Sequence, residues 1–287
     1  MKAVIPAAGF GTRFLPFTKS VPKELIPILD KPVIQYVVEE ALAAGIDEIL
    51  VIISDGKEAV CRHFESDPEL ESRLEITGKK DLLEMVRSIG KGARIHYVYQ
   101  KELDGLGGAI RCAKDFCKGE PFAVLLGDNV TGGEKNGILP ELMEIFQEKK
   151  SSVVAVEQVP REKVSSYGVI AGHSGDGRLY ELSALVEKPS VEESPSDLVI
   201  ASRYIFTPEI FEALDVTLPG KNNEIQLTDA MQILLQRQKM YAFRVQGKRY
   251  DVGSRLSFLK TTLEFALKEE DSCRVLREFF LAHKNIL

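Results

Sequence analysis

Short apolar runs alternate with amphipathic stretches over the first half of the chain. Lys2 to Pro6 and Glu48 to Ile53 are brief runs rich in Val and Ile, the pattern of strands buried on both faces. Arg94 to Tyr99, Phe122 to Leu126 and Val153 to Val159 repeat the theme. Pro32 to Ala44 places Val33, Ile34, Val37, Val38 and Ala41 at helical spacing, with Pro32 suited to a first turn and Gly45 to the stop. Gly107 to Phe116 and Leu139 to Gln147 predict two more helices, the first carrying Cys112 and running up to Cys117 at its end. Such alternation predicts an α/β fold with a mostly parallel central sheet and helices on both faces.

Beyond about residue 160 the alternation loosens. Tyr167 to Ala171, Ala184 to Glu187, Ile200 to Phe206 and Tyr241 to Val245 predict strands. Pro208 to Leu214 and Ile225 to Gln236 predict helices, and two more close the chain near Leu256 to Lys268 and Ser272 to His283. In the last of these, Val275, Leu276, Phe279, Phe280 and Ala282 supply an apolar face, for packing on its own domain or against a second copy. The polar segment from Ser66 to Lys91 predicts helical surface, and Pro189 to Asp197 a loop. The length of 287 residues allows about two domains at ~150 residues each. Strand-like sequence resumes directly after each loop, which favours one domain over residues 1–287.

Composition narrows the function. Lys and Arg number 37 against 43 Asp and Glu, a net charge of −6, which argues against a generally basic nucleic-acid binder. An anionic ligand would need positive charge gathered locally. The longest apolar stretches fall short of the ~18 residues of a membrane span, and a strand pattern starting at Lys2 leaves no room for a signal peptide. The four cysteines lack disulfide-framework or metal-type spacing and predict reduced thiols in a cytoplasmic protein. His63, His96, His173 and His283 are scattered, and no Ser sits in a nucleophile-elbow pattern.

The first loop, Ala7-Ala8-Gly9-Phe10-Gly11-Thr12-Arg13, directly follows the first strand, where open α/β sheets bind ligands. Glycines there let backbone amides approach a phosphate. A dinucleotide fingerprint would need a third glycine where Phe14 stands. Arg13, Lys19 and Lys23 follow closely: each alone suits a solvated face, and together they suit a triphosphate. Asp128, after the run ending at Leu126, suits a turn, a helix cap or a cation ligand. Pro189 predicts an extended Lys188.

Longer motifs sharpen this picture. Gly9-Phe10-Gly11-Thr12-Arg13-Phe14-Leu15-Pro16, Pro22-Lys23-Glu24 and Asp30-Lys31-Pro32 resemble the signature of the sugar-phosphate nucleotidyltransferases. Matches continue in order at Gln100 with Gly105-Leu106-Gly107, Leu126-Gly127-Asp128, Tyr167-Gly168-Val169 and Val186-Glu187-Lys188-Pro189. They end with Glu224-Ile225-Gln226-Leu227-Thr228-Asp229 and Tyr250-Asp251-Val252-Gly253, so the resemblance runs from residue 1 to about 265. The wording is most similar to bacterial members that use UTP and glucose 1-phosphate.

The resemblance implies a Rossmann-like nucleotidyltransferase fold with a mixed, mostly parallel sheet. Residues 1–160 would bind mainly nucleotide and 161–255 mainly sugar phosphate, with 256–287 forming C-terminal helices. Ala8, Gly9, Gly11, Thr12, Arg13 and Lys23 would hold the nucleotide phosphates, and Gln100 and Gly105 the base. Gly168, Glu187 and Lys188 would hold the sugar phosphate. Asp128 and Asp251 would bind Mg²⁺, and Arg13, Lys23, Lys188, Asp128 and Asp251 would serve the transfer itself. A homo-oligomer is also implied. Gly108 departs from the family's usual histidine, and Asn129 after Asp128 leans towards thymidylyl-transferring members. Transfer of another nucleotide, or sugar-nucleotide binding without catalysis, are the alternatives.

Overall fold

A computed structural model describes residues 1–132 and 137–283. Its first strands and helices are β1 (Lys2–Pro6), the two-residue pair β2 (Pro27–Ile28) and β3 (Lys31–Pro32), α1 (Val33–Ala43) and β4 (Glu48–Ile53). Next comes α2 (Glu58–Phe64), and the polar surface segment forms α3 (Pro68–Ile76) and α4 (Lys80–Ser88), followed by β5 (Arg94–Tyr99), α5 (Leu106–Arg111), α6 (Lys114–Cys117) and β6 (Phe122–Leu125). Then come β7 (Asn129–Gly132), α7 (Leu139–Lys149), β8 (Val153–Gln158), β9 (Gly168–Ser174), β10 (Leu179–Glu187) and β11 (Leu198–Phe206). The chain closes with α8 (Ile210–Val216), α9 (Leu227–Leu235), β12 (Tyr241–Arg244), β13 (Lys248–Asp251), α10 (Arg255–Ala266) and α11 (Glu270–Ala282).

Among the described residues, one sheet of nine strands runs in the order β5-β4-β1-β6-β11-β8-β12-β10-β9. It is parallel from β5 to β6, where strand–helix alternation is regular. From β11 onward it is antiparallel except for the β12–β8 pair. The loosening of the pattern near residue 160 is the mark of this change. Successive strand residues face opposite layers. Val4 enters the core beneath α5, α8 and α9, whereas Ala3 and Ile5 enter the core beneath α1 and α7. Helices therefore cover both faces. All nine residues of β11 are buried.

The structure corrects several local expectations. The predicted helix from Gly107 to Phe116 is two short helices. The amides of Cys112 and Ala113 bond three residues back, to Ala109 and Ile110, so the α-helical ladder breaks there. Cys112 thus ends α5 and Cys117 lies in α6. Pro32 precedes the first turn of α1, with extended backbone (φ −57°, ψ 142°), and pairs in β3. The strands β7 and β13 were not expected: each is four residues with little apolar content, and they pair with each other outside the main sheet. The last predicted helix exists as α11, but none of its residues is buried. No helix of the described residues is long and apolar enough to cross a membrane.

Candidate active site

The loop after β1 leaves the sheet under tight control. The Ala7 amide continues the strand pairing to Ile52. The carbonyls of Ala7 and Ala8 accept from Lys57 Nζ at 2.6 Å and Ser54 Oγ at 2.8 Å. Gly11 has φ +66°, and a Cβ there would lie 3.1 Å from Lys23 Cβ and 3.2 Å from Thr18 Cγ2, so conformation and space both require glycine. A cleft of about 400 Å³ opens between this loop and the β5–α5 connection. Gly9, Gly11, Thr12, Lys23, Gln100, Gly105 and Asp128 all line it. Ala8 is buried beneath the loop, and Lys19 lines a neighbouring hollow that shares Phe10, Gln100 and Leu103 with the cleft.

At the cleft floor, Lys23 Nζ donates to Asp128 Oδ2 at 2.7 Å, and Asn129 Nδ2 donates to Asp128 Oδ1 at 2.7 Å. Burial would raise the Asp128 carboxyl, but Lys23, Asn129 and Arg13 outweigh it and hold the pKa down to about 2. Burial likewise pulls Lys23 down, and Asp128 with Glu24 reverses this to leave it raised. Behind Lys23, Glu24 is buried against Lys57 Nζ at 2.9 Å. Burial pushes Glu24 up and Lys57 down, each partly offset by its partner.

The β7–β13 pair joins the two predicted metal ligands. Asn129, next to Asp128, is the register partner of Asp251, and the Val252 amide donates to the Asp128 carbonyl at 3.1 Å. Asp251 Oδ1 accepts from the Gly253 amide at 2.7 Å. A Cβ on Gly253 would lie 3.1 Å from Arg13 Nη2, so Arg13 reaches this turn from the far side of the glycine loop. Asp128 is thus flanked by Lys23 and Asp251 by Arg13. Two hard carboxylates, one in the turn before β7 and one at the end of β13, suit a cation that takes one or two carboxylates and fills its shell with phosphate oxygens and water. Among the described residues, no three His, Cys, Asp or Glu side chains form a metal cage.

A buried cation braces this region. Arg203 on β11 is fully buried and forks onto Glu40 of α1, with Nη2 to Oε2 at 2.7 Å. It also donates to the carbonyls of Ser202 at 3.0 Å and Asn129 at 2.8 Å. Thr131 Oγ1 donates to the same Glu40 at 2.7 Å. Both ends of β7 are therefore tied to Glu40 and Arg203.

On the opposite wall, Gln100 Nε2 donates to Asp104 Oδ1 at 3.0 Å and to the Gly105 carbonyl at 3.2 Å. Gly105 has φ +105°, and a Cβ there would lie 2.7 Å from Glu224 Cβ. A Cβ on Gly108, where the family's usual histidine is missing, would overlap the Asp104 carboxylate outright.

The predicted sugar-phosphate residues cluster beside the cleft, not in its lining. Gly168 and Glu187 are register partners on β9 and β10. Glu187 accepts from Thr228 Oγ1 at 2.7 Å and pairs with Lys188 Nζ at 2.9 Å. A Cβ on Gly168 would come 2.8 Å from Thr228 Oγ1, so that glycine makes room for these two side chains. Lys188 is not extended: its φ is +46°. Its amide bonds the Tyr167 carbonyl at 2.9 Å and its carbonyl accepts from Lys221 Nζ, contacts that override the local influence of Pro189. Burial and Glu187 raise the neighbouring Asp229 carboxyl.

Glu24, Lys57, Asp104, Glu224 and Thr228 belong to this constellation and were not singled out from sequence. Glu24, Glu224 and Thr228 lie inside quoted motifs, which was the one available signal. Lys57 and Asp104 act through partners that spacing alone does not identify.

Residues 2–267 match the family described as nucleotidyl transferase. The chain is 50% identical over 270 residues to the UTP–glucose-1-phosphate uridylyltransferase of Bacillus subtilis strain 168, covering 94% of this chain and 92% of that protein. It is similar to a solved UDP-glucose pyrophosphorylase complexed with UDP-glucose, with a TM-score of 0.86 and 40% identity, covering 93% of this chain and 99% of that one. The UTP-bound UGPase from Acinetobacter baumannii gives a TM-score of 0.89 at 35% identity, covering 98% of each chain. With glycine loop, sheet and carboxylate-bearing strands all inside the matched span, the chain belongs to the nucleotidyl transferase family.

Proposed function

We propose that this enzyme transfers the uridylyl group of UTP to glucose 1-phosphate, giving UDP-glucose and pyrophosphate. The observation that carries the proposal is the Lys23–Asp128 pair on the floor of a cleft walled by the glycine loop and by Gln100. The relatives' names point to the same substrates.

A phosphate oxygen of glucose 1-phosphate attacks the α-phosphorus of UTP, and the bond to the departing pyrophosphate breaks. The attacking oxygen is already anionic, so no general base is needed; the protein supplies alignment and charge neutralisation. Backbone amides of Ala8, Gly9, Gly11 and Thr12 cradle the triphosphate, and Arg13 and Lys23 balance charge on the α-phosphate and leaving group. Enzymes of this family generally use a divalent metal. We assign Mg²⁺, held by Asp128 and Asp251, which supplies further charge neutralisation when bound. Gln100 and Gly105 hold the base. Glu187 accepts from sugar hydroxyls, Lys188 binds the sugar phosphate, and Gly168 keeps the space they need.

Residues 1–160 thus serve mainly the nucleotide and 161–255 mainly the sugar phosphate, within one domain, with the C-terminal helices beyond. A cytoplasmic setting is supported by four cysteines that are all free. The exposed apolar side chains of α11 support self-association. Initial rates with UTP, dTTP and CTP at equal concentration, with glucose 1-phosphate and Mg²⁺, test the assignment through pyrophosphate release. UTP is expected to be fastest. A clear dTTP preference would replace the nucleotide, and a covalent nucleotidyl-enzyme would overturn direct displacement.

A further inference from the structure

A glutamine amide has two ends of nearly equal shape, one accepting and one donating, and its neighbours decide which end faces a ligand. Gln100 is almost fully buried on the cleft wall, and Nε2 points inward to Asp104 Oδ1 and the Gly105 carbonyl. Both partners are acceptors only. Turning the amide over would lose two hydrogen bonds and set Oε1 against two oxygens. Oε1 has no protein partner among the described residues, so it is the end left for a bound base.

Asp104 is itself held in place. Its Oδ2 accepts from Arg111 Nη2 at 2.9 Å, and its carbonyl accepts from the Ile225 amide at 2.6 Å. The carboxylate fits only because residue 108 is glycine, since a Cβ there would occupy the same space. Asp104, Gly108 and Arg111 therefore form one interlocking set.

We infer that Asp104 is a positioning residue that fixes the Gln100 amide with its oxygen towards the base, making the site select an imide N–H over a bare ring nitrogen. Uracil and thymine present such an N–H; cytosine presents a lone pair at the same ring position. An outward acceptor attracts the first two and repels the third, and a site built around one hydrogen-bond pattern discriminates strongly against its inverse. The inference rests on the proposed use of UTP.

The test measures kcat/KM for UTP, dTTP and CTP on the full-length protein with glucose 1-phosphate and Mg²⁺. The unsubstituted protein should favour UTP over CTP. In Asp104→Asn, whose amide can donate to a reversed Gln100, only the Gly105 carbonyl still favours the original orientation, and the UTP-to-CTP ratio should fall about tenfold, the scale of losing one charge-assisted bond. The UTP-to-dTTP ratio should not move, because both bases carry the same imide. Damage to folding alone would lower all three rates together and leave both ratios intact. If Asp104→Asn yields no folded protein, Arg111→Gln, at the partly exposed end of the set, should shift the UTP-to-CTP ratio in the same direction. An unchanged UTP-to-CTP ratio in the variant measured, or an unsubstituted protein that uses UTP and CTP equally, overturns the inference and leaves uridylyl transfer standing. An unsubstituted protein that does not use UTP at all overturns the proposed function instead.

Discussion

Lys23 and Asp128, 105 positions apart in sequence, meet at 2.7 Å beneath the glycine loop. Each charge stabilises its partner's ionised form despite burial. The cleft thus keeps a cation and an anion ready at its floor before any phosphate arrives. Lys23→Ala should lower kcat/KM for pyrophosphate release by about a hundredfold or more, the scale of losing one preorganised charge-stabilising group. Asp128→Asn should abolish turnover in a protein that still folds, with a melting temperature lowered by roughly 4–8 °C through loss of the buried pair. Normal turnover in Asp128→Asn would remove it from the transfer machinery.

The same pair predicts an acid limb in stability. A carboxyl depressed from 3.8 to about 2 contributes stability that is fully present above its unfolded value and is lost as pH falls through the folded one. The contribution is about 2 kcal/mol. Urea titrations between pH 5 and about 2 should show Asp128→Asn losing less stability over this window than the unsubstituted protein. Parallel pH profiles would contradict the depressed carboxyl.

Glu40→Ala should destabilise the fold by roughly 3–5 kcal/mol, because it leaves the buried Arg203 guanidinium without its counter-charge. Denaturant unfolding reads this directly. Turnover should fall along with stability, because Arg203 also holds the Asn129 carbonyl beside Asp128. A loss below ~1 kcal/mol would mean that Arg203 finds another partner.

Lys188→Ala should raise KM for glucose 1-phosphate by roughly tenfold to a hundredfold, the value of one charge-assisted bond, with KM for UTP little changed. Substrate-saturation kinetics on each substrate separate the two. Equal effects on both would show that Lys188 acts through the fold and not on the sugar phosphate.

Phe279 and Phe280 on α11 are 54% and 40% exposed, beside Val275 at 61% and Leu281 at 55%. Light scattering should detect an oligomer that Phe280→Glu weakens. A strict monomer across the working concentration range would refute self-association through this face.

Much of this arrangement was legible beforehand for a physical reason. Strands such as Glu48–Ile53 are buried on both faces, so their apolar runs are continuous and hard to mistake. The glycine loop is equally plain, because Gly11 is required by its own backbone angle and by Lys23. The β7–β13 pair was hidden, since Asn129 and Arg249 hold it through polar contacts with no apolar period. Lys188 was misjudged because proline's influence is local, whereas the Tyr167 and Lys221 contacts come from elsewhere in the chain. Asp104 was invisible because its importance depends on an empty position four residues later.

β11 is bonded along one edge to β6 and along the other to β8. It stitches the parallel and antiparallel halves into continuous fabric. Tightening around two substrates is therefore expected from the rim loops, with the bonded sheet keeping its register, and this has a direct test. Crosslinks that freeze the sheet should leave turnover intact, while those that tether the glycine loop should stop it.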